Sequence, residues 1–211
     1  MMKELVVIGA GALGIQLKHY IDNYSNDKVV AFVDDTYRKG EIISGIEVIG
    51  KIMDILNTKD IINIVVAIGY NHLNFKFHLL NNLKSNKSIN LYNFIHPSAY
   101  IDKSATIEPG VVIFPHAIID TNVTLKTGVL INNSALISHD SSIGIGTFIG
   151  GNSTIAGRVK IGNRCLIGAG TVIKNDLNIA DDVTIGSGSN VFDHVLESGT
   201  YVTHSKIIKL K

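Results

Sequence analysis

The apolar positions of this chain fall into two textures that change near residue 96. Before that point they come in short runs set between helical patterns. Leu5–Ile8, Val29–Val33, Ile62–Ile68 and Ile89–Phe94 read as strands, and residues 13–24 and 72–85 read as helices. Strands alternating with helices predict a parallel sheet with crossover connections. Ninety-odd residues supply about half of a full dinucleotide-binding domain. A domain spanning 1–95 is therefore expected to be α/β and half-Rossmann-like.

From Ile101 onward every sixth residue is Ile, Leu or Val, sixteen times in unbroken register to Val191. Four residues after each stands a second position, from Ala105 and Val111 to Ser189 and Val195, that is always small or medium-sized. Neither a 3.6-residue helix nor a two-residue strand alternation sustains a period of six. A period of six is the pattern of hexapeptide β-helix repeats. Three hexapeptides make one triangular coil, so residues eighteen apart stack, and the repeats predict about five coils rising roughly 25 Å. Residues 96–211 are expected to form this solenoid, with Gly199–Val202 as a last strand beside the final coil. No repeat carries an insertion, so an acceptor has to be held by the first domain or by another subunit.

Composition narrows the function classes. Nineteen Lys+Arg against eighteen Asp+Glu leave a net charge of +1, which offers no field for nucleic acid. The single cysteine, Cys165, cannot form an internal disulfide, and a reducing compartment fits. The longest apolar runs are strand-sized and far short of a membrane span. Met1-Met2-Lys3-Glu4 runs directly into a strand without a secretory signal, so a cytoplasmic protein with no membrane partner is expected.

Eight histidines are available as proton acceptors. His139 is third in its hexapeptide and faces outward at a corner; Asp140 follows it and can hold the ring's tautomer. Gly157, eighteen residues on, lies one coil above, where a bare backbone N–H can serve a developing oxyanion. Near the start, Gly9-x-Gly11-x-x-Gly14 follows a strand, with Asp34 twenty residues beyond. This satisfies a dinucleotide fingerprint on paper, yet a pyrophosphate is equally present in a nucleotide-linked sugar. A metal enzyme on the same solenoid needs converging histidines. His116, His139 and His194 are spaced by 23 and 55 residues, which are not whole coils, so no metal is expected.

The glycine-turn domain, the junction Ile95-His96-Pro97-Ser98-Ala99, Ser138-His139-Asp140 and Ile167-Gly168-Ala169-Gly170-Thr171-Val172 together resemble the NeuD/PglD family of sugar acyltransferases. The resemblance implies a left-handed parallel β-helix behind the α/β domain. It also implies transfer of an acetyl group from acetyl-CoA to a sugar amine or hydroxyl, in a homotrimer. The implied acceptor is a UDP- or dTDP-linked 4-amino sugar, the alternatives being O-acetylation of a sialic-acid-type sugar or non-catalytic binding of a nucleotide sugar. In the family's pattern His139 matches the general base, Asp140 its acidic neighbour and Gly157 the oxyanion donor. Gly11, Ala12, Leu13, Asp34, Asp35, Gly69 and Asn132 match acceptor contacts. Gly168, Ala169, Gly170 and Ser187 match acyl-CoA contacts. Lys160, Arg164, Lys174, Lys206, Lys209 and Lys211 are candidates for the CoA phosphates. Two residues depart from the pattern: Phe148 stands where the family usually has a second histidine beside the thioester, and Leu13 where many relatives have histidine. Phenylalanine can pack against pantetheine but donates no hydrogen bond.

Overall fold

The computed structural model describes residues 2–203. The tail lysines Lys206, Lys209 and Lys211 lie outside the described residues.

The first half runs β1 (Glu4–Ile8), α1 (Ala12–Tyr24), β2 (Lys28–Val33), β3 (Ile42–Ile43), β4 (Ile46–Gly50), α2 (Ile52–Leu56), β5 (Ile62–Val66), a 3-10 turn (Tyr70–His72), α3 (Leu73–Ser85) and β6 (Ile89–Leu91). Its sheet order is β3-β4-β2-β1-β5-β6, parallel except for the β3–β4 hairpin. The hairpin and α2 have no strong sequence signature, because they are short and half-exposed. Leu5, Val7, Val29 and Phe32 pack against Leu17 and Ile21 of α1 on one face of the sheet. Val6, Ile8, Ile64 and Val66 pack against Leu79, Leu80 and Leu83 of α3 on the other.

The run expected as one strand over Ile89–Phe94 divides in two. Ile89–Leu91 closes the α/β sheet beside β5, whereas Phe94–Ile95 pairs with Val112–Ile113 and opens the solenoid. The repeat therefore begins one hexapeptide earlier than the pattern from Ile101 implies. His96 explains why the junction is compact: it is buried, its Nδ1 lies 2.8 Å from Ser98 Oγ, and its ring packs 4.6 Å from that of Tyr24.

The second half is a left-handed parallel β-helix whose two-residue strands stack at eighteen-residue spacing into three sheets. Face 1 carries Phe94–Ile95 through Leu166–Ile167 to Val183–Ile185, and Gly199–Tyr201 joins it as a last strand. Face 2 carries Tyr100–Ile101 through Leu136–Ile137 to Asn190–Val191, and face 3 carries Thr106–Ile107 through Ser142–Ile143 to Asn178–Ile179. Isoleucines of the sixfold pattern fill the axis. At every sixth residue from Gly110 to Gly188 the backbone takes a positive φ, which turns each corner. The small inward residue follows that turn. Where it is polar it is satisfied one coil up: Ser141 Oγ donates to Ala156 O at 3.0 Å, Thr147 to Gly162 O at 2.8 Å and Ser153 to Gly168 O at 2.9 Å. Hydroxyls thus enter a dry core at little cost because each finds a backbone carbonyl. Cys165 belongs to the same inward set, and burial pushes its thiol up to about 11, so it behaves as a small hydrophobe.

The α/β unit sits on face 1. Phe94, Val112, Leu130 and Phe148 form one cluster with Leu13, Tyr20 and Leu73. Arg164 adds a cation–π contact to Phe77 of α3, 4.4 Å from the ring centroid. Among the described residues no helix is long and apolar enough to cross a membrane.

Candidate functional site

Three places concentrate the candidate residues. The first is a cleft of about 370 Å³ at the carboxyl ends of β1, β2 and β5. In an open α/β sheet the crevice beyond these strand ends is where ligands bind. Gly9, Gly11, Asp34, Asp35 and Gly69 line it, together with His72 and Phe75. The glycines differ in purpose. Gly9 has φ +104 and touches Ala67, and a methyl on Gly14 would collide with the Gly9 carbonyl. Nothing lies within 4 Å of the position a side chain would take at Gly11 or Gly69, so these two open space to a ligand.

The aspartates differ too. Asp34 accepts the Ala10 N–H at 2.8 Å through Oδ2 and the Thr36 N–H at 2.7 Å through Oδ1. It ties the glycine turn to the loop after β2, so both oxygens are engaged by backbone. Asp35 accepts only the Ile52 N–H at 3.0 Å, leaving its second oxygen for the cleft. Leu13 departs from the acceptor assignment: its side chain turns to the cluster between α1 and face 1. Ala12 is exposed at that helix start. His72 and Phe75 were not singled out in the sequence, since nothing in residue type or spacing distinguishes them before α3 is placed.

The second place is a groove of about 300 Å³ at the corner between faces 1 and 2. It gathers Asn132, Phe148, Gly168, Ala169 and Ser187, with Tyr70 from the α/β unit. Phe148 has a different surrounding from the one its family position implies. Its ring is buried and meets Tyr70 edge-on at 5.5 Å, so it seals the contact between the two halves and forms the groove's inner wall. Gly170 stands in the same corner turn as Gly168 and Ala169, with φ +68 and open space around it.

The third place is the corner between faces 2 and 3. His139 Nδ1 lies 2.8 Å from Asp140 Oδ2. A carboxylate only accepts, so Nδ1 carries a proton, and in the neutral ring Nε2 keeps a free lone pair. Asp140 turns the corner at φ +59, a conformation aspartate tolerates better than most residues. It also accepts from Asn122 Nδ2 at 3.0 Å. The His139 and Asn122 hydrogen bonds hold its carboxyl below the usual carboxylate range. The His139 ring lies over Gly157: a methyl there would stand 2.5 Å from Nε2 and 2.6 Å from Cε1. The ring's place exists only because residue 157 lacks a side chain. Among the described residues the Gly157 N–H has no hydrogen-bond partner.

The structure keeps these places apart within one chain. Asn132 and His139 stand at opposite ends of the Leu136–Ile137 strand. Lys160 projects from face 3 and Lys174 from the His139 corner. Arg164 departs from its phosphate assignment, because its guanidinium is held by Asp182 at 2.7 and 2.8 Å and by Asp181 at 3.2 Å. Among the described residues no group of three His, Cys, Asp or Glu side chains gathers as metal ligands would.

Residues 4–77 match the PglD N-terminal domain, and residues 90–186 match the GMPPB C-terminal domain. No curated protein matches the sequence. The acetyltransferase domain of PglB from Neisseria gonorrhoeae FA1090, solved with acetyl coenzyme A, superposes with a TM-score of 0.85 at 27% identity, over 96% of this chain and 97% of that one. PerB from Caulobacter crescentus, solved with CoA and GDP-perosamine, gives 0.81 at 25% identity over 95% and 94%. WeeI from Acinetobacter baumannii AYE shares the fold, with a TM-score of 0.79 at 22% identity over 96% and 97%.

Proposed function

We propose that this chain, a NeuD/PglD-type sugar acetyltransferase, carries the acetyl group of acetyl-CoA to the amine of a nucleotide-linked amino sugar, with His139 as general base. The carrying observation is the His139 ring, held at Nδ1 by Asp140 and set at Nε2 against Gly157. Nε2 takes a proton from the attacking amine as the C–N bond forms. The Gly157 N–H supports the oxyanion of the tetrahedral intermediate. As the C–S bond breaks, the imidazolium returns the proton to the departing sulfur and frees CoA.

Residues 1–95 hold the acceptor in this reading, with Gly11, Ala12, Asp35 and Gly69 around its nucleotide. Gly168, Ala169, Gly170, Ser187 and the Phe148 wall line the pantetheine path. Uridine and thymidine diphosphates were the nucleotides expected from the sequence, and PerB's GDP-perosamine adds guanosine to the panel that has to be tested.

A homotrimer belongs to this reading, and the placement of the sites supports it. His139 occupies the corner opposite face 1, whereas the α/β unit covers face 1, so one chain's base and its own cleft stand on opposite sides of the prism. A second copy has to unite them. A contact of unlike surfaces closes only as a ring, and a three-sided prism favours a homotrimer. Face 2 supplies the surface: Tyr100, Ile118 and Val172 point outward at 58%, 43% and 41% exposure.

Thiol release from acetyl-CoA, measured with UDP-, dTDP- and GDP-linked amino sugars, is the direct test. His139→Ala is expected to lose roughly 10²–10⁴-fold in turnover with its circular dichroism unchanged. Undiminished turnover would remove the base from the mechanism.

A further inference from the structure

The residues that turn the corner beside His139 form a column at eighteen-residue spacing: Asn122, Asp140, Arg158 and Asp176, all at φ between 56 and 64. A shared backbone conformation sends their side chains out in the same direction, one coil above another. Asn122 Nδ2 donates to Asp140 Oδ1 at 3.0 Å, while the other oxygen of Asp140 faces His139 Nδ1. Arg158 stands directly above Asp140 but turns upward, giving Nε and Nη2 to Asp176 at 2.5 and 2.8 Å. Asn175 also donates to Asp176.

An Arg–Asp rung by itself is only scaffolding, as Arg164 and Asp182 show at the corner between faces 3 and 1, where no histidine stands. The His139 corner differs in what lies beneath the pair. An arginine freed from Asp176 would meet a carboxylate one coil below, and a guanidinium forks onto carboxylates readily. It would then compete with Nδ1 for Asp140.

We propose that Asn122, Arg158 and Asp176 are positioning residues for the His139 base: Asn122 orients the Asp140 carboxylate toward Nδ1, and Asp176 holds the Arg158 guanidinium away from it. This rests on the reading of His139 as the base. The other charged or titratable groups along this corner are Asp102, Lys103, Asp120, Lys174, Asp193 and His194; Asp120 caps its own turn through the Thr121 N–H at 2.7 Å, and Lys174 lies in the coil above Arg158. The lowered Asp140 carboxyl, with Arg158 among its causes, agrees with the arrangement.

The two ends of the ion pair make opposite predictions. Arg158→Gln removes a cation near the ring, so the imidazolium is favoured and the His139 titration midpoint rises. Asp176→Asn releases that cation onto Asp140, so the midpoint falls and the Nδ1–H tautomer loses population. The double variant returns both readouts close to the native values. With histidine labelled at Cε1 and both ring nitrogens, and the His139 signal identified by its loss in His139→Gln, each single shift is expected at about 0.3–0.5 pH unit. Shifts of the same sign, or midpoints and tautomer unchanged while only the melting temperature moves, would reduce the column to scaffolding. Turnover of His139→Ala is scored separately: activity that survives overturns the base and with it the role of the column, whereas lost activity with silent titrations overturns the column alone.

Discussion

Faces 1 and 2 of the solenoid are written in the same sixfold repeat and end in different circumstances. Outward from face 1 point Phe94, Val112, Leu130, Phe148 and Leu166, a column sealed by the chain's own α/β unit. Outward from face 2 point Tyr100, Ile118, Leu136, Thr154, Val172 and Asn190, apolar at four of the six positions, with Tyr100, Ile118 and Val172 exposed. Face 3 carries Thr106, Thr124, Ser142, Lys160 and Asn178, a polar surface suited to water. The inward positions are interchangeable among the three faces, so function resides in what points out. An apolar column covered within the chain is a contact already made, and the apolar positions of face 2 are the surface that the proposed assembly would cover.

The difference can be broken from either side. Paired Ile118→Asp and Leu136→Asp substitutions place two charges on face 2. Sedimentation is expected to show monomers, and turnover is expected to fall at least 10²-fold because base and cleft separate. Melting of the isolated chain should change little. Trimers that persist with full activity would show that face 2 is not the contact.

On face 1, Phe148→Ala cuts into a sealed cluster and should cost about 3–5 kcal/mol, read by chemical denaturation. It should also loosen Tyr70, its edge-on partner. A loss below about 1 kcal/mol would mean that the two halves hardly depend on each other.

Lys76 sharpens the contrast in a different way. It lies on α3, buried to 1% exposure, and burial pulls its ammonium down to about 7. Between about pH 7 and its ordinary value of 10.5, the unfolded chain binds a proton that the folded chain has released, so stability rises with pH across that window. Lys76→Met should therefore stabilise the protein most at pH 6, by roughly 3–5 kcal/mol, and progressively less toward pH 10. A gain independent of pH would place the ammonium in contact with water. The smallest effect is expected on face 3, where Thr124→Lys should stay within about 0.5 kcal/mol and leave assembly and turnover intact.

The candidate site was legible in parts, and the parts share a cause. Gly157 could be paired with His139 from spacing alone, because an eighteen-residue step in an uninterrupted solenoid is a fixed distance. Gly168, Ala169 and Ser187 follow from the family resemblance rather than from spacing, and the fold gathers them on one corner with Asn132, which the resemblance assigns to the acceptor. Legibility ended where position along the chain does not dictate direction. Leu13 turns into the hydrophobic contact between the halves, and Phe148 joins that contact while also walling the groove. Arg164 was read as a free cation and is taken up by Asp181 and Asp182. His72 and Phe75 line the cleft at the strand ends only because α3 docks beside β5.

The hexapeptide register, the glycine turn and the strand–helix alternation determined from the sequence alone that an α/β unit precedes a triangular solenoid. Each is a local rule repeated, and repetition makes a local rule readable. Which solenoid face the α/β unit would cover was settled by tertiary structure, through the mutual fit of apolar columns distant in the chain. That docking put the cleft at the strand ends on the far side of the prism from His139, a separation that no stretch of sequence encodes by itself.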